Sequence, residues 1–401
     1  MIHQRCAAVL VGVAVTLLLG CGNSGGSSPS GPSSPSGPSG ANVLTITINP
    51  SSAVCTNGND PCTQVTICQA GTSTCQTISD ILVDTGSSGL RVFASALTLT
   101  LPPSNIGECM FFGGGTDWGS VHTVDVILGN EPAVSLPIQV VDPTFAGQYD
   151  STGQPNPKAP SPLGCGQATV DATPSQVGHN GILGVGVFQF DGGFYYDCAS
   201  LPCTGITPSS SEQVQNPVGL LPVDNNGVLV ALPSVPTSGL PSLTGSLILG
   251  IGTASNNQPS GVTVLPTDPF SGQIKTQFTP TPTITTGIID SGSNVLFFDD
   301  SSLANSPCPG TLSFLYCPAF PVPFSAVNSG TSGAPSSAVN FQIIDPRPAL
   351  NAGNFVINNV GGPAIFSGTF DWGLPFFFGR TVYVGLEAKT SVLGTGPFFA
   401  Y

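Results

Sequence analysis

The sequence predicts an all-β fold built as two lobes, and three observations lead there. Hydrophobic residues make up 40% of the chain and charged residues only 7%, with 51 glycines and 39 prolines. Abundant Val, Ile and Thr beside that much Gly and Pro describe turn-rich β structure rather than disorder. Apolar runs of strand length recur at short spacing, while helix signals are confined to 211–220 and 299–305. Finally, Ile81-Leu82-Val83-Asp84-Thr85-Gly86-Ser87 returns as Gly287-Ile288-Ile289-Asp290-Ser291-Gly292-Ser293 after 206 residues, which divides the chain into halves of domain size.

The first residues are a leader. Arg5 precedes an apolar run from Ala7 to Leu19, too short for a comfortable membrane span of about 20 apolar residues. Leu18-Leu19-Gly20-Cys21 resembles the lipobox of bacterial lipoproteins, and the resemblance implies cleavage before Cys21 and lipidation of its sulfur. Gly22 after that cysteine is similar to the pattern of lipoproteins sorted to the outer membrane, so the expected place is the bacterial cell envelope, lipid-anchored. The organisation expected is a signal peptide over 1–20, a lipidated cysteine and Gly/Ser/Pro tether over 21–42, an N-terminal lobe over 43–255 and a C-terminal lobe over 256–401.

A net charge of −14 with only seven Lys and Arg excludes a generic electrostatic nucleic-acid binder. Membrane attachment is expected through the lipid anchor alone, and the soluble part as a monomer. Twelve cysteines are present. Setting aside Cys6 in the leader and Cys21 leaves an even number in an exported chain, which favours disulfides. Cys68 and Cys75 flank what reads as a β-hairpin. Cys55/Cys62, Cys198/Cys203 and Cys308/Cys317 are further local pairs, and Cys109/Cys165 remains by elimination. With no C-x-x-C and only His122 and His179 beyond the leader, neither a zinc site nor any other cofactor is expected.

Strands are expected at Val43–Ile48, Gln64–Cys68, Asp80–Asp84, Val121–Leu128, Val134–Val141, Ser246–Gly250, Gly287–Asp290, Val295–Phe298 and Arg380–Leu386. Two of these deliver the repeated Asp-(Thr/Ser)-Gly-Ser to a tight turn. Glycine there permits a positive φ or a close approach, and the hydroxyl residue can fix its carboxylate through a hydrogen bond. Two such loops meeting face to face bring two carboxyls together, and like charges at that range share a proton.

Asp84-Thr85-Gly86-Ser87-Ser88-Gly89-Leu90 resembles the first active-site loop of pepsin-like aspartic peptidases, and Asp290-Ser291-Gly292-Ser293 their second, with Ser for the commoner Thr. Asn180-Gly181-Ile182-Leu183-Gly184-Val185-Gly186 is similar to the segment passing beneath the first loop, and Gly245–Gly250 to the strand closing the first lobe. Asp371-Trp372-Gly373 stands where the second lobe's counterpart has an apolar residue first. The resemblance implies a bilobal acid-protease fold, two β-barrel-like lobes with the cleft between them. It further implies Asp84 and Asp290 as the catalytic pair, supported by Thr85, Gly86, Ser87, Ser291, Gly292 and Ser293, and a peptide or unfolded protein as substrate. The chain also resembles bacterial exported proteins known only as a domain of unknown function, on Asn216-Pro217, Pro222–Gly227 and Gly250-Ile251-Gly252-Thr253.

Departures concentrate at the flap, expected around Phe112, Gly113 and Trp118. Phe112 occupies the place of the family's tyrosine and Arg91 that of the tyrosine's tryptophan partner. Trp118 is read either as a cover over the cleft or as a packed hairpin aromatic, and Asp117 as a partner for Arg91. Only about 40 residues separate the tether from Asp84, which leaves no room for a basic prosegment. Serine hydrolysis is disfavoured, since Gly86-Ser87-Ser88-Gly89 is no nucleophile elbow, and a glycosidase pair does not need repeated Asp-(Thr/Ser)-Gly loops. A pepsin-like scaffold that binds peptide without cutting is the other reading. Labelled fatty acid should enter the wild-type protein and not Cys21→Ala; an unlabelled wild type would remove the anchor.

Overall fold

The computed structural model describes residues 38–49, 54–279 and 284–401. The leader, Cys21 and most of the tether lie outside them. Among the described residues no helix is long and apolar enough to cross a membrane.

Nearly all regular structure is β, as the composition predicts. One sheet of fifteen strands winds from Thr204–Ile206 at one edge to Val264–Pro266 at the other, and a second sheet of seven strands builds the rest of the C-terminal lobe. Val43–Ile48 shows why the first strands form where they do. Leu44, Ile46 and Ile48 alternate into the core at 2%, 0% and 0% exposure while Thr45 faces out, the period-2 pattern of a half-buried strand. That strand pairs along its whole length with Leu243–Leu249, whose neighbours in turn are Gly227–Ala231, Thr381–Gly385, Phe398–Ala400 and Val264–Pro266. The two lobes therefore share one sheet, with strands from both ends of the chain hydrogen-bonded across it.

The lobes repeat one local design. In the first, Cys75–Asp84 runs parallel to Gly181–Val185, and Ser88–Phe93 lies antiparallel to that same strand. In the second, Ile284–Ile289 runs parallel to Thr369–Trp372, and Leu296–Phe297 lies antiparallel to it. Each Asp-(Thr/Ser)-Gly-Ser loop is thus the turn between two strands that flank a common third strand. The cores differ in their filling: Ile, Leu and Val in the first lobe, and in the second a cluster of Phe278, Phe298, Phe324, Phe341, Phe370 and Trp372. Within it Phe370 stacks on Phe298 at 4.9 Å and on Trp372 at 4.1 Å, offset-type contacts adding to the area they bury.

All five disulfides pair as expected: Cys55–Cys62, Cys68–Cys75, Cys109–Cys165, Cys198–Cys203 and Cys308–Cys317. Cys68 and Cys75 face each other across their hairpin. Four bridges close short loops, and Cys109–Cys165 spans 56 residues; on loop entropy it contributes about 4 kcal/mol against about 2 for a short one. The Cys55–Cys62 loop also ties the lobes. Asn59, at φ 61°, donates from Nδ2 to the Asn294 and Ile357 carbonyls at 2.9 and 2.8 Å and accepts from Ile357 N–H at 2.9 Å.

Candidate active site

The two Asp loops meet at the lobe junction and are cross-linked by four hydrogen bonds. Thr85 Oγ1 donates to the Ile289 carbonyl at 2.8 Å and accepts from Ser291 N–H at 2.9 Å. Ser291 Oγ donates to the Val83 carbonyl at 2.6 Å and accepts from Thr85 N–H at 3.1 Å. Thr85 is 2% and Ser291 0% exposed, and each hydroxyl spends its one proton and a lone pair on the opposite lobe. Serine serves as well as threonine here because only the hydroxyl is used.

The glycines account for the distance between the loops. A Cβ on Gly86 would lie 2.6 Å from Asp290 Cγ, and one on Gly292 would lie 2.7 Å from Asp84 Cγ. Close approach, not positive φ, is what excludes a side chain at both positions. Each carboxyl then receives the same pair of donors from its own loop. Gly86 N–H reaches Asp84 Oδ1 at 2.7 Å and Ser87 Oγ bonds Oδ2. Gly292 N–H reaches Asp290 Oδ1 at 2.8 Å and Ser293 Oγ lies 2.9 Å from Oδ2. Burial first, then the charges of Asp84 and Asp371, hold the Asp290 carboxyl well above the usual carboxylate range.

Asp371 is a third carboxyl at the site. It follows Phe370 on the strand beneath the second loop, in register with Ile288, and its Oδ2 lies 2.7 Å from Ser293 Oγ. Burial pushes it up to about 8. The sequence marked this position as unusual without a role for it.

The flap turn, Phe112 N–H to Gly115 carbonyl at 2.9 Å, joins strands Ile106–Phe111 and Thr116–Ile127. Gly113 faces the opposite lobe so closely that a Cβ there would come within 3.2 Å of Ile365 Cδ1. Trp118 does not cover the cleft. It is fully buried beside the Cys109–Cys165 bridge, packs on Phe145, Tyr149 and Tyr196, and donates Nε1–H to the Phe145 carbonyl at 3.1 Å. Nor does Arg91 pair with Asp117. Its guanidinium, 0% exposed, bonds Glu108 at 3.0 Å and Asp191, beneath the Phe112 ring 5.5 Å away. A fully desolvated cation requires such partners, and they come from positions 17 and 100 residues distant, beyond any sequence pattern.

Cys308, Cys317 and Asp345 converge in the second lobe, but the two sulfurs are bonded to each other and offer no thiolate. Ser120 and His122 lie 2.8 Å apart, with the imidazole's other nitrogen against the Pro102 carbonyl rather than a carboxylate. Cavities of about 440 and 430 Å³ lie in the second lobe and behind the flap, and neither is lined by Asp84 or Asp290.

Residues 38–401 match the model of a family described as protein of unknown function, DUF3443. The chain belongs to that family. No curated protein matches it significantly. Among solved structures it is similar to an aspartic proteinase from Irpex lacteus at 18% identity and a TM-score of 0.49, over 89% of this chain and 96% of that one. At that identity and score the likeness assigns no activity.

Carboxyl burial extends beyond the dyad. Asp60 and Asp117 are pushed up to about 7, Asp171 to about 6 and Asp371 to about 8, burial being the first cause in each. An unfolded carboxyl titrates near 4, so the stability these groups contribute is complete below about pH 4 and is lost as pH rises through their folded values. His122 and His179 oppose them: burial lowers both, His179 to about 4, and their contribution is lost as pH falls below about 6.5. Four raised carboxyls outweigh two histidines. Scanning calorimetry should give a higher Tm at about pH 5 than at about pH 8; a Tm that rises with pH would mean these carboxyls are ionised at no cost.

Proposed function

We propose that the protein is an aspartic endopeptidase that hydrolyses peptide bonds with a water activated between Asp84 and Asp290. The observation that carries this reading is the pair of glycine contacts, each bringing the backbone of one loop against the carboxyl of the other. A binding surface has no chemical need for two opposed carboxyls with matched donors. The sequence resemblance to pepsin-like aspartic peptidases at both loops points the same way.

In this mechanism the dyad holds one proton. Asp290, raised by burial and by Asp84's charge, carries it and acts as the acid toward the substrate carbonyl oxygen. Asp84 takes a proton from the water as its oxygen bonds to the carbonyl carbon. The tetrahedral diol collapses when the amide nitrogen accepts the proton held by Asp84, the C–N bond breaks, and one diol hydroxyl gives its proton back to Asp290 as it becomes the carbonyl of the product acid. That returns the site to one shared proton. Anchored through Cys21, the enzyme would act on peptides or unfolded protein at the cell envelope.

The flap favours one other reading, a cleft that binds peptide without cutting. Phe112 has no hydroxyl, and Arg91 beneath it is committed to Glu108 and Asp191.

The test is cleavage of an unfolded protein and a peptide library by the chain from Asn42 onward. Wild type should cut best at acid pH, and Asp84→Asn or Asp290→Asn should each lower the rate by about 10³-fold or more, since either removes half of one acid–base unit. Cleavage surviving in both variants would move the chemistry elsewhere. Binding without cleavage by wild type would select the silent cleft.

A further inference from the structure

Ser293 lies between two carboxyls and has a single proton to give. Its Oγ is 2.9 Å from Asp290 Oδ2 and 2.7 Å from Asp371 Oδ2. A hydroxyl donates once and accepts through its lone pairs. If both carboxyls were ionised, one of them would face Ser293 Oγ with no proton between the two oxygens. The geometry is satisfied only if one carboxyl keeps its own proton and donates it to Ser293.

Which carboxyl that is follows from their surroundings. Asp290 Oδ1 accepts from Gly292 N–H, and Asp290 belongs to the dyad with Asp84. Asp371 is 9% exposed, and its Oδ1 has no hydrogen-bond partner. A buried carboxylate with one oxygen unsatisfied costs far more than the neutral acid in the same place. The charged groups acting on Asp371 from the packed elements are Asp84 and Asp290, both acidic. His179 acts on this cluster through Asp84 and is itself held neutral by burial until acid pH. Among the described residues no lysine or arginine forms an ion pair with Asp371 or Asp290.

We propose that Asp371 is a positioning residue held as a neutral carboxylic acid, which donates to Ser293 so that Ser293 in turn donates to Asp290. The chain Asp371 Oδ2–H to Ser293 Oγ–H to Asp290 Oδ2 fixes both the rotamer and the electrostatics of the dyad's second carboxyl. The corresponding position of the first lobe, Ile182, is apolar, so this relay exists on one side only. It makes the site a three-carboxyl cluster holding two protons, one shared by the dyad and one on Asp371.

The inference rests on the peptidase reading, and the first measurement is chosen to be independent of it. Infrared difference spectra of wild type against Asp371→Asn, recorded across pH, should show a protonated-carboxyl stretch assigned to Asp371. It should persist at about pH 6 and disappear as pH rises through about 8. Absence of that band at about pH 6 overturns the inference whether or not the protein cleaves peptides. The second measurement uses kcat at acid pH. Asp371→Asn, whose amide N–H can donate to Ser293 in the same way, should keep wild-type kcat within about threefold, whereas Asp371→Ala should lose about tenfold. The double variant Asp371→Ala with Ser293→Ala should be no slower than Ser293→Ala alone, because the first residue acts through the second. Equal losses in the Asn and Ala variants, or fully additive losses in the double variant, would reduce Asp371 to a packing role. A wild type that shows the band but no cleavage would sink the peptidase reading and leave the neutral acid standing.

Discussion

Everything at the lobe junction depends on the exchange of hydrogen bonds between Thr85 and Ser291. A typical intramolecular hydrogen bond has a net value of about 1 kcal/mol, but removing one partner of a buried pair leaves the other unsatisfied at about 1–3 kcal/mol. Both hydroxyls are buried and each serves as donor and acceptor across the junction, so the four bonds stand or fall together. They draw the loops so close that neither Gly86 nor Gly292 has space for a side chain. The facing of Asp84 and Asp290 is therefore a consequence of backbone packing and not of a direct attraction between the carboxyls. The shared sheet and the Asn59 tie keep the lobes at the separation this exchange requires.

The two halves are alike in topology and unlike in filling, and the difference falls where the electrostatics are set. Beneath the first loop the strand is Gly181–Val185, apolar throughout. Beneath the second the corresponding strand carries Asp371 between Phe370 and Trp372. The rings of Phe370 and Trp372 stack on each other on the opposite face of this strand. Asp371 itself is 9% exposed, and the charge that acts on its carboxyl, after burial, is that of Asp84. The cluster's cheapest state is thus one that retains protons. On the flap side a buried cation joins the cluster: Arg91 pairs with Glu108 and Asp191. There burial still raises Glu108 well above the usual carboxylate range, while Asp191, against its burial, is held below it by its bond with Glu108 and by Arg91's charge.

Much of this was legible in the sequence because it is local or repeated. Strand positions followed from apolar alternation, and Val43–Ile48 and Val134–Val141 agree to the residue. The Asp-(Thr/Ser)-Gly-Ser echo was visible because two loops performing the same packing task need the same residue types. Four disulfides join cysteines five to nine residues apart, and pairing those left the fifth. Contacts made by folding alone were not legible. Asp191 and Glu108 reach Arg91 from other segments of the chain, and Asp117, the partner the sequence suggested, acts on it by charge without forming an ion pair. Trp118 gave no sign of its face, since a strand residue points to one side or the other according to register. Asp371 stood out as a charge in an apolar segment, but its link to Ser293 needed the fold.

The most direct measurement of the central claim is a crystal structure of the tether-free protein with a statine-type peptide, whose hydroxyl imitates the attacking water. That hydroxyl should lie within hydrogen-bond distance of both Asp84 and Asp290, with the peptide running beneath the flap at Gly113. A mimic that binds with its hydroxyl away from the two carboxyls, or that does not enter the cleft at all, would contradict a dyad built to activate water.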